Sequence, residues 1–577
     1  MKKIILSICL LTFLYVASAQ NMNAALFTVG KESVTATEFI NTFNKNNVLA
    51  TATESELRDY LDLFINFKLK VMDGIDTQID TAVDFQRELA SYKAQSAQSY
   101  LVDKEVTEQL IKEAIERSKY MLRASHILIV VEADASPKDT LIAYNKALDI
   151  RKKILSGAIT FHEAAVQFSE DPSARDEVRG GRPQYGNRGD LGYFSAFDLI
   201  YPFETVAYNT PVGDISMPVR TQFGYHLVWV QDRQPAILKI DISQILLLDT
   251  AARSGRISPQ VQERLTLIEE ALKDGEDFAT LAEKYTEDPV SKEKGGRLDP
   301  FPPNRRPGDF TKQVISLKED QVSTPFPSMI GWHIIKLHEL VAPETKDEEM
   351  RYTIVTKIQR DARSTKSVES LLKKLKKEYN FSDKGKSAAF NLLLKKLNTV
   401  TTLPPATDLL ALSGINKLKP MATFADQTVT IQDFIHYLDR FQGKELNKQA
   451  ETFLNTHYEN FIKETILKYE YENLENKYPE YKELIKEYHH GIILFEMNNE
   501  RVWSESLKDS VKLEAFYEKI KINYLDAEGN PKPLMEIRST VLTEYQDELE
   551  REWLIALRER YPVWINEELF QSILKNK

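Results

Sequence analysis

The sequence is almost free of cysteine. Its single cysteine, Cys9, lies within the first twenty of 577 residues. Disulfide bonds and thiol catalysis are therefore excluded for the rest of the chain, since both need cysteine sulfur. A basic surplus is also missing, because the formal net charge is -11 and the pI is about 5.6. That balance argues against a nucleic-acid-binding protein, whose binding face needs an excess of lysine and arginine.

Long apolar runs are confined to the start of the sequence. A short positive segment and an apolar stretch at 4–16 precede small residues that end at Ala19. This pattern is typical of a signal peptide, so we expect one at 1–19, cleaved between Ala19 and Gln20. An uncleaved N-terminal anchor is the alternative. No later stretch is long and apolar enough to span a bilayer, so no integral membrane segment is expected after cleavage.

The middle of the chain contains an internal repeat. "LSGAITFHEAAVQFSEDPSA" at 155–174 aligns without a gap with "LKDGEDFATLAEKYTEDPVS" at 272–291. Around each copy the order is strand, helix, helix, glycine loop and closing strand. The repeat predicts two α/β modules of ordinary domain size, called module one (119–234) and module two (235–341) below.

A second, shorter repeat lies outside the modules. "FTVGKESVTATEFINTF" at 27–43 resembles "ATFADQTVTIQDFIHYL" at 422–438. Thr35 and Glu38 form a capping-box pattern, and the second copy has a weaker version with aspartate in place of glutamate. Long stretches with helical periodicity follow both copies, which indicates that the C-terminal region partly duplicates the N-terminal one.

These patterns predict an α+β multidomain chain, in which the two modules are flanked by mainly α-helical regions. The predicted regions are the signal peptide at 1–19, an N-terminal helical region at 20–118, module one at 119–234, module two at 235–341, a linker with helices at 342–405, and a C-terminal helical region at 406–577.

Five short motifs in module one occur in a characteristic order. They are "SHILI", "SEDPSA", "GDLGYF", "PFE" and "FGYHLV". Together they resemble the parvulin family of peptidyl-prolyl isomerases, closely over 119–234 and more loosely over 235–341. The order of regions resembles that of SurA-type exported folding factors, which carry tandem parvulin modules behind a helical chaperone region. The resemblance implies an FKBP-like β-α-α-β fold for each module.

The parvulin resemblance also implies a set of site residues in module one. His126 and His226 would lie side by side in the central sheet, and Asp171 would stand above them in a position where other parvulins carry cysteine. The implied substrate-binding residues are Leu191, Leu199, Phe203, Thr221 and Phe223. The implied reaction is cis/trans rotation of an X–Pro bond, which breaks no covalent bond and needs no cofactor or metal.

Each of these residues also has a plainer interpretation. A lone histidine is more often a buried structural residue, Asp171 before proline could simply form a turn, and Phe203 alone could be a core residue. Gln244 replaces the first histidine in module two, so we expect that copy to have impaired or absent activity. The loop at 175–187 is longer than in the family, with an effect on substrate access that the sequence leaves open.

The expected function is that of a peptidyl-prolyl isomerase and chaperone in the periplasm. Its expected partners are unfolded or partly folded exported proteins, including outer-membrane β-barrel precursors, with no nucleic acid among them. The alternative is a non-catalytic holdase that shields such clients. Client identity, oligomeric state and the role of residues 491–577 do not follow from the sequence.

Overall fold

The structure is a computed structural model that describes residues 23–575, apart from seven short internal gaps. The predicted signal peptide at 1–19 lies outside the described residues. The gaps fall at 46, 134, 180–181, 344–345, 416–419, 447–448 and 509, and the side chains at 178–184 and 347 are also outside the description. The described chain divides into two units, one formed by residues up to Ser99 together with those from Tyr471 onward, the other by Tyr100–Glu470.

The first unit combines a small sheet with long helices. The strand Val563–Ile565 pairs with Ala25–Val29, which pairs in turn with Glu32–Thr35, all antiparallel. Distant parts of the sequence therefore share one sheet and one apolar core, in which Phe39 and Phe570 are fully buried. The helices of this unit are Ala36–Phe43, Glu54–Asp76, Val83–Ala97, Leu474–Lys477, Pro479–Asn498, Ser504–Lys508, Ser510–Ile520, Leu534–Arg560 and Glu567–Lys575.

Module one lies in the second unit and is built on a four-stranded antiparallel sheet. Its strands, in spatial order, are Asp190–Phe194, Tyr120–Val130, Gly224–Pro235 and Val219–Thr221. A separate hairpin pairs Glu177–Arg179 with Arg182–Gln184. The helices of module one are Pro137–Leu155, Phe161–Phe168 and Tyr201–Asn209. The predicted strand around "SHILI" and its pairing with the closing strand are confirmed.

The two faces of this sheet bury different helices. Ile127 and Ile129 point to one face and pack against Pro137–Leu155 and Phe161–Phe168. Leu122 and Ala124 point to the other face, where Phe203 belongs to the same core. Successive side chains of a strand alternate between faces, so the even-numbered residues of this strand share the Phe203 side.

Module two repeats this plan with fewer strands. Its sheet contains Lys239–Leu248, Gly331–Val341 and the short Phe326–Pro327. Isolated bridges join Arg297 to Ser243 and Phe301 to Ile240, where module one has a full strand. Its helices are Pro259–Lys273, Phe278–Tyr285 and Gly308–Ile315.

Helices and a second hairpin complete the second unit. The strands Ala422–Phe424 and Gln427–Val429 form the hairpin. The helices are Lys104–Ser118 before module one and, after module two, Asp347–Arg360, Ser364–Glu378, Lys386–Leu397, Ala406–Leu410, Ile431–Leu438 and Ala450–Glu472. The units cut across the predicted regions 20–118 and 406–577, whose bounds as domains stay predictions.

The two predicted capping boxes differ from expectation. At Thr430 the box is complete, because the hydroxyl accepts the Asp433 N–H and the Asp433 carboxylate accepts the Thr430 N–H at 2.8 Å. At Thr35 only the hydroxyl accepts the Glu38 N–H, and the Glu38 carboxylate binds Lys68 instead at 3.0 Å. The stronger sequence signal thus gives the weaker cap, because a buried lysine competes for the carboxylate.

Among the described residues, no helix combines the length and the apolar composition needed to cross a membrane.

Candidate active site

Strand register brings the two histidines of module one together. His126 lies opposite Val228, and His226 lies opposite Leu128 two positions along the ladder. Both side chains point to the Phe203 face of the sheet and form a diagonal pair. Their rings lie nearly parallel, with centroids 5.5 Å apart and planes 18° apart.

A continuous chain of hydrogen bonds runs through the two rings. The His126 Nε2 lies 2.8 Å from Asp171 Oδ2, and the two Nδ1 atoms of His126 and His226 lie 3.2 Å apart. The His226 Nε2 lies 2.8 Å from Thr221 Oγ1, which accepts the Phe223 N–H at 3.1 Å. When Asp171 is ionised and both rings are neutral, His126 donates to Asp171, His226 donates to His126, and Thr221 donates to His226.

The segment that carries Asp171 is attached to the edge of the His126 strand. The Glu170 N–H donates to the Leu128 carbonyl at 2.7 Å, and the Ser169 hydroxyl accepts the Leu128 N–H at 3.2 Å. The Asp171 carboxylate also accepts the Ser173 N–H at 2.9 Å and caps the short helix Pro172–Ala174. Asp171 therefore forms a helix-capping turn and also lies beside His126.

A glycine allows the neighbouring strand to approach His126. Gly189 has φ +84°, and its carbonyl accepts the His126 N–H at 2.8 Å. A Cβ at this position would lie 2.6 Å from the His126 carbonyl oxygen. Because an L side chain would be strained in this backbone conformation and would also clash, glycine is required at the start of "GDLGYF".

Burial and hydrogen bonding set the charges of the site. Burial, followed by the nearby His126, lowers the pKa of His226 to about 3, so its ring is neutral at neutral pH. The hydrogen bond from His126 holds the pKa of Asp171 well below its usual range, against the opposing effect of burial. The site therefore presents a fixed negative charge on Asp171 and a neutral ring on His226.

Phe203 forms an apolar wall beside the two rings. Its ring meets His126 edge-on at 5.8 Å and His226 at 5.4 Å, and it is 3% exposed. Leu191 and Leu199 are partly buried and pack against the same cluster. These three residues, with the histidines, Asp171 and Thr221, are brought together as the sequence predicted.

Phe223 differs from the other predicted residues. We expected its side chain near the floor of the pocket, but it is 52% exposed. Its ordered contribution to the site is the backbone N–H that donates to Thr221. Phe223 lies in the tight connection between the strands Val219–Thr221 and Gly224–Pro235, and its role in substrate binding stays a prediction.

A buried ion network supports the helix that carries Phe203. Glu204 is fully buried and binds Arg117 at 2.9 Å and Arg363 at 2.9 Å. It also accepts the Phe197 N–H at 2.7 Å, and the Arg363 guanidinium lies 3.9 Å from the centre of the Phe197 ring. Helices outside module one thus fix the loop between Phe194 and the Phe203 helix.

Module two keeps the framework of this site with three changes. Gln244 takes the place of His126 and donates to Asp288 at 2.8 Å, while Ser328 takes the place of Thr221, 2.8 Å from His333 Nε2. The His333 Nδ1 and the Gln244 Oε1 are buried and have no hydrogen-bond partner among the described residues. The hydrogen-bond chain is therefore interrupted where module one has its paired Nδ1 atoms.

The third change affects the apolar wall. Phe310 meets His333 edge-on at 5.2 Å, as Phe203 meets His226. Arg306 precedes Phe310 by the same number of residues as Leu199 precedes Phe203, so Arg306 takes the Leu199 position. Its guanidinium lies 5.7 Å from the centre of the Phe310 ring. Burial and Arg306 lower the pKa of His333 to about 4. A cation thus stands where module one has an aliphatic side chain.

Comparison with known proteins identifies the modules. Residues 126–232 and 245–339 each match the Rotamase family, described as a PPIC-type PPIASE domain. Both modules are parvulin-type peptidyl-prolyl isomerase domains. The first matched range contains the whole hydrogen-bond chain of parvulin module one, and the second, which begins one residue after Gln244, contains Asp288 and His333 of parvulin module two.

Curated proteins similar to this chain are named as chaperones. The chain is 30% identical over 218 residues to Chaperone SurA of Nitrosococcus oceani, covering 37% of this chain and 48% of that protein. It is 29% identical over 228 residues to Chaperone SurA of Saccharophagus degradans, covering 39% and 50%. The chain thus spans about half the length of the curated relatives it matches. A solved structure of the peptidylprolyl isomerase PrsA from Bacillus anthracis is 29% identical, covering 24% of this chain and 60% of that one, with a TM-score of 0.16.

Several residues that shape the parvulin site were not singled out from the sequence. Ser169 and Gly189 lie inside the quoted motifs, so their positions carried a usable signal. Ser328 aligns with Thr221 when the closing strands are superimposed, which a closer comparison of the repeats would have found. Glu204 and Arg363 meet across 159 residues of sequence, and no local pattern indicates that pairing.

Among the described residues, no group of three histidine, cysteine, aspartate or glutamate side chains could hold a metal ion.

Proposed function

We propose that module one catalyses cis/trans rotation of X–Pro bonds in unfolded client proteins, and that the whole chain acts as a folding chaperone. The observation that carries the proposal is the unbroken chain from Asp171 through His126 and His226 to Thr221, beside the wall formed by Phe203. The family match supports the reaction, and the relatives named Chaperone SurA support the wider role.

The reaction asks the protein to lower a rotational barrier. Double-bond character in the C–N bond gives a barrier of roughly 18–20 kcal/mol, and an unaided X–Pro bond takes tens to hundreds of seconds to flip. No covalent bond breaks. The catalyst has to hold the proline ring and favour the twisted amide over both planar forms. A reduction of about 4 kcal/mol corresponds to roughly a thousandfold acceleration.

The proposed roles follow from the positions of the side chains. Phe203, Leu191 and Leu199 hold the prolyl ring, because they form the apolar wall of the site. Exclusion of water from this wall favours the twisted amide, which has less charge separation than the planar forms. Asp171 acts electrostatically on the amide, and the histidines below position it and keep its charge fixed.

Module two is proposed to bind peptides without catalysing rotation. Its chain is interrupted between Gln244 and His333, and Arg306 stands at the position of Leu199. We also propose that both modules have the FKBP-like β-α-α-β topology and that the regions predicted around them act as chaperone segments. One fold can carry different functions at its site, so two copies of a module can differ in activity.

The proposed place of action is the periplasm. The signal-peptide pattern ending at Ala19 supports export, with cleavage before Gln20. The proposed clients are exported proteins that are still unfolded, including precursors of outer-membrane β-barrels. A holdase without catalysis is the second candidate, and the name shared by the relatives favours it equally.

One pair of measurements separates the two candidates. Exchange spectroscopy on a short Xaa-Pro peptide reports rotation directly, and light scattering reports aggregation of an unfolded outer-membrane protein. With the full chain carrying Asp171→Ala, we expect peptide exchange to be lost and aggregation suppression to be kept. If the unmodified full chain fails to accelerate exchange, the isomerase proposal is wrong and the holdase remains.

A further inference from the structure

The short repeat outside the parvulin modules forms the same substructure twice. The first copy consists of the hairpin of Ala25–Val29 and Glu32–Thr35, the helix Ala36–Phe43 and the long helix Glu54–Asp76. The second copy consists of a hairpin, a capped helix and a long helix in the same order, over 422–472. Buried positions fix the alignment. The pairs are Val34 with Val429, Phe39 with Phe434, Phe64 with Phe461, Ile65 with Ile462, and Leu69 with Ile466.

In the first copy, one face of the substructure is covered by the helix Pro479–Asn498. Glu487 of that helix forms an ion pair with Lys45, and the His490 ring lies 6.2 Å from the Phe67 ring. Further along, Ile493 lies so close to Gly74 that a Cβ at that glycine would overlap it. Lys70 donates to Asn498 at 3.0 Å. The covering helix therefore follows the long helix over about three turns.

In the second copy, the corresponding face forms a cavity of about 480 Å³. The residues that line it on the capped and long helices are Asp433, His436, Tyr437, Arg440, Phe461, Glu464, Thr465 and Lys468. In the alignment, Arg440 corresponds to Lys45 and Glu464 corresponds to Phe67. Lys45 and Phe67 both contact the covering helix in the first copy. The cavity thus occupies the place where the first copy binds a helix.

The cavity has an apolar floor and a charged rim. Tyr437 and Phe461 are largely buried and form the floor with Val429. On the rim, Arg440 pairs with Glu464 at 2.9 Å, and both side chains are more than half exposed. An exposed pair of this kind contributes little stability, so an incoming helix can exchange partners with it at small cost.

We propose that this cavity binds an amphipathic α-helix of another protein. The first copy supplies the pattern of the ligand. In the ligand helix, an acidic residue faces Arg440, as Glu487 faces Lys45 in the first copy. The ligand residue three positions later is basic, because it faces Glu464, which takes the place of Phe67. The other positions on this face of the ligand helix are apolar, to match the floor formed by Tyr437, Phe461 and Val429. The proposal rests on the internal duplication and is independent of the isomerase site.

The test uses a labelled peptide and the full chain. The probe is the 20-residue peptide of residues 479–498 carrying His490→Lys, and its binding is followed by fluorescence anisotropy. We expect Arg440→Glu to weaken binding by about tenfold or more, since it places like charges together. A peptide that also carries Glu487→Lys should recover affinity for the Arg440→Glu chain.

The matched control is the same reversal in the first copy. Lys45→Glu should leave probe binding within about twofold, because that face already holds its own helix. Loss of binding on Lys45→Glu would show that the peptide displaces the internal helix, and would overturn the proposal. Absence of binding, or binding that ignores Arg440→Glu, would also overturn it. So would sedimentation showing that two copies of the chain associate through this face.

Discussion

The Nδ1 atoms of His126 and His226 lie 3.2 Å apart in the core of the first module. Two nitrogens at this distance share one proton between them, so the tautomer of one ring determines that of the other. The order of donors then runs from Thr221 to Asp171 without a break. In module two, the corresponding buried atoms, Gln244 Oε1 and His333 Nδ1, have no hydrogen-bond partner in the part of the chain that the structure describes. This break in the hydrogen-bond chain, together with Arg306 at the Leu199 position, accounts for the difference in function proposed for the two modules.

The hydroxyl of Thr221 anchors the end of the hydrogen-bond chain. Thr221→Val keeps the shape of the side chain but leaves the His226 Nε2 and the Phe223 N–H without this partner. Loss of about 1 kcal/mol of positioning corresponds to roughly a fivefold lower kcat/KM for peptide exchange. Ser328→Ala, the matched change in module two, should leave exchange unaffected. An unchanged rate for Thr221→Val would mean that the chain does not need its anchor.

The His226 ring should stay neutral over a wide pH range. Burial lowers its pKa to about 3, whereas an unfolded histidine titrates near 6.5. Because the unfolded state binds this proton more readily, the contribution of His226 to stability falls as the pH drops from about 6.5 toward 3. Histidine-selective NMR should find no titration of His226 between pH 8 and 5, with His226→Asn used for assignment. A midpoint above pH 5 would contradict the account of the site.

Module two should not gain activity from one substitution. Gln244→His restores the missing ring beside His333, but Arg306 still occupies the position that Leu199 has in module one. We expect peptide exchange to appear only when Gln244→His is combined with Arg306→Leu, in a chain whose module one is inactivated by Asp171→Ala. Activity of the single variant Gln244→His would show that Arg306 does not obstruct the prolyl site.

The buried network around Glu204 should be important for the stability of module one. Arg363→Met leaves the Glu204 carboxylate with one of its two arginines, in a fully buried place. Removing one partner of a buried ion pair costs about 3–5 kcal/mol. Hydrogen exchange should therefore speed up in the helix Tyr201–Asn209. Lys152→Met, which removes an exposed ion pair in the same module, should leave hydrogen exchange in this helix unchanged. Equal hydrogen-exchange rates in the two variants would refute the prediction.

The sequence was informative wherever local patterns decided the structure. Runs of β-forming residues after His126 and His226 predicted strands at both positions, and the resemblance to parvulins implied that Asp171 and Phe203 lie beside them. The exposure of Phe223 depends on its place in the tight connection between two strands, which no composition rule describes. The pairing of Glu204 with Arg363 depends on helices outside the module. The incomplete cap at Thr35 depends on Lys68, a long-range competitor for the Glu38 carboxylate.

The central claim is that rotation is catalysed above the paired histidines of module one. Exchange spectroscopy on one Xaa-Pro peptide tests it with the full chain carrying either Asp171→Asn or Asp288→Asn. Both changes remove one carboxylate charge at matched positions, each of which accepts a hydrogen bond at 2.8 Å from the strand residue below it. We predict that Asp171→Asn lowers kcat/KM by about tenfold or more, since the fixed charge is lost, and that Asp288→Asn leaves it unchanged. Equal losses, or a loss confined to Asp288→Asn, would contradict the account.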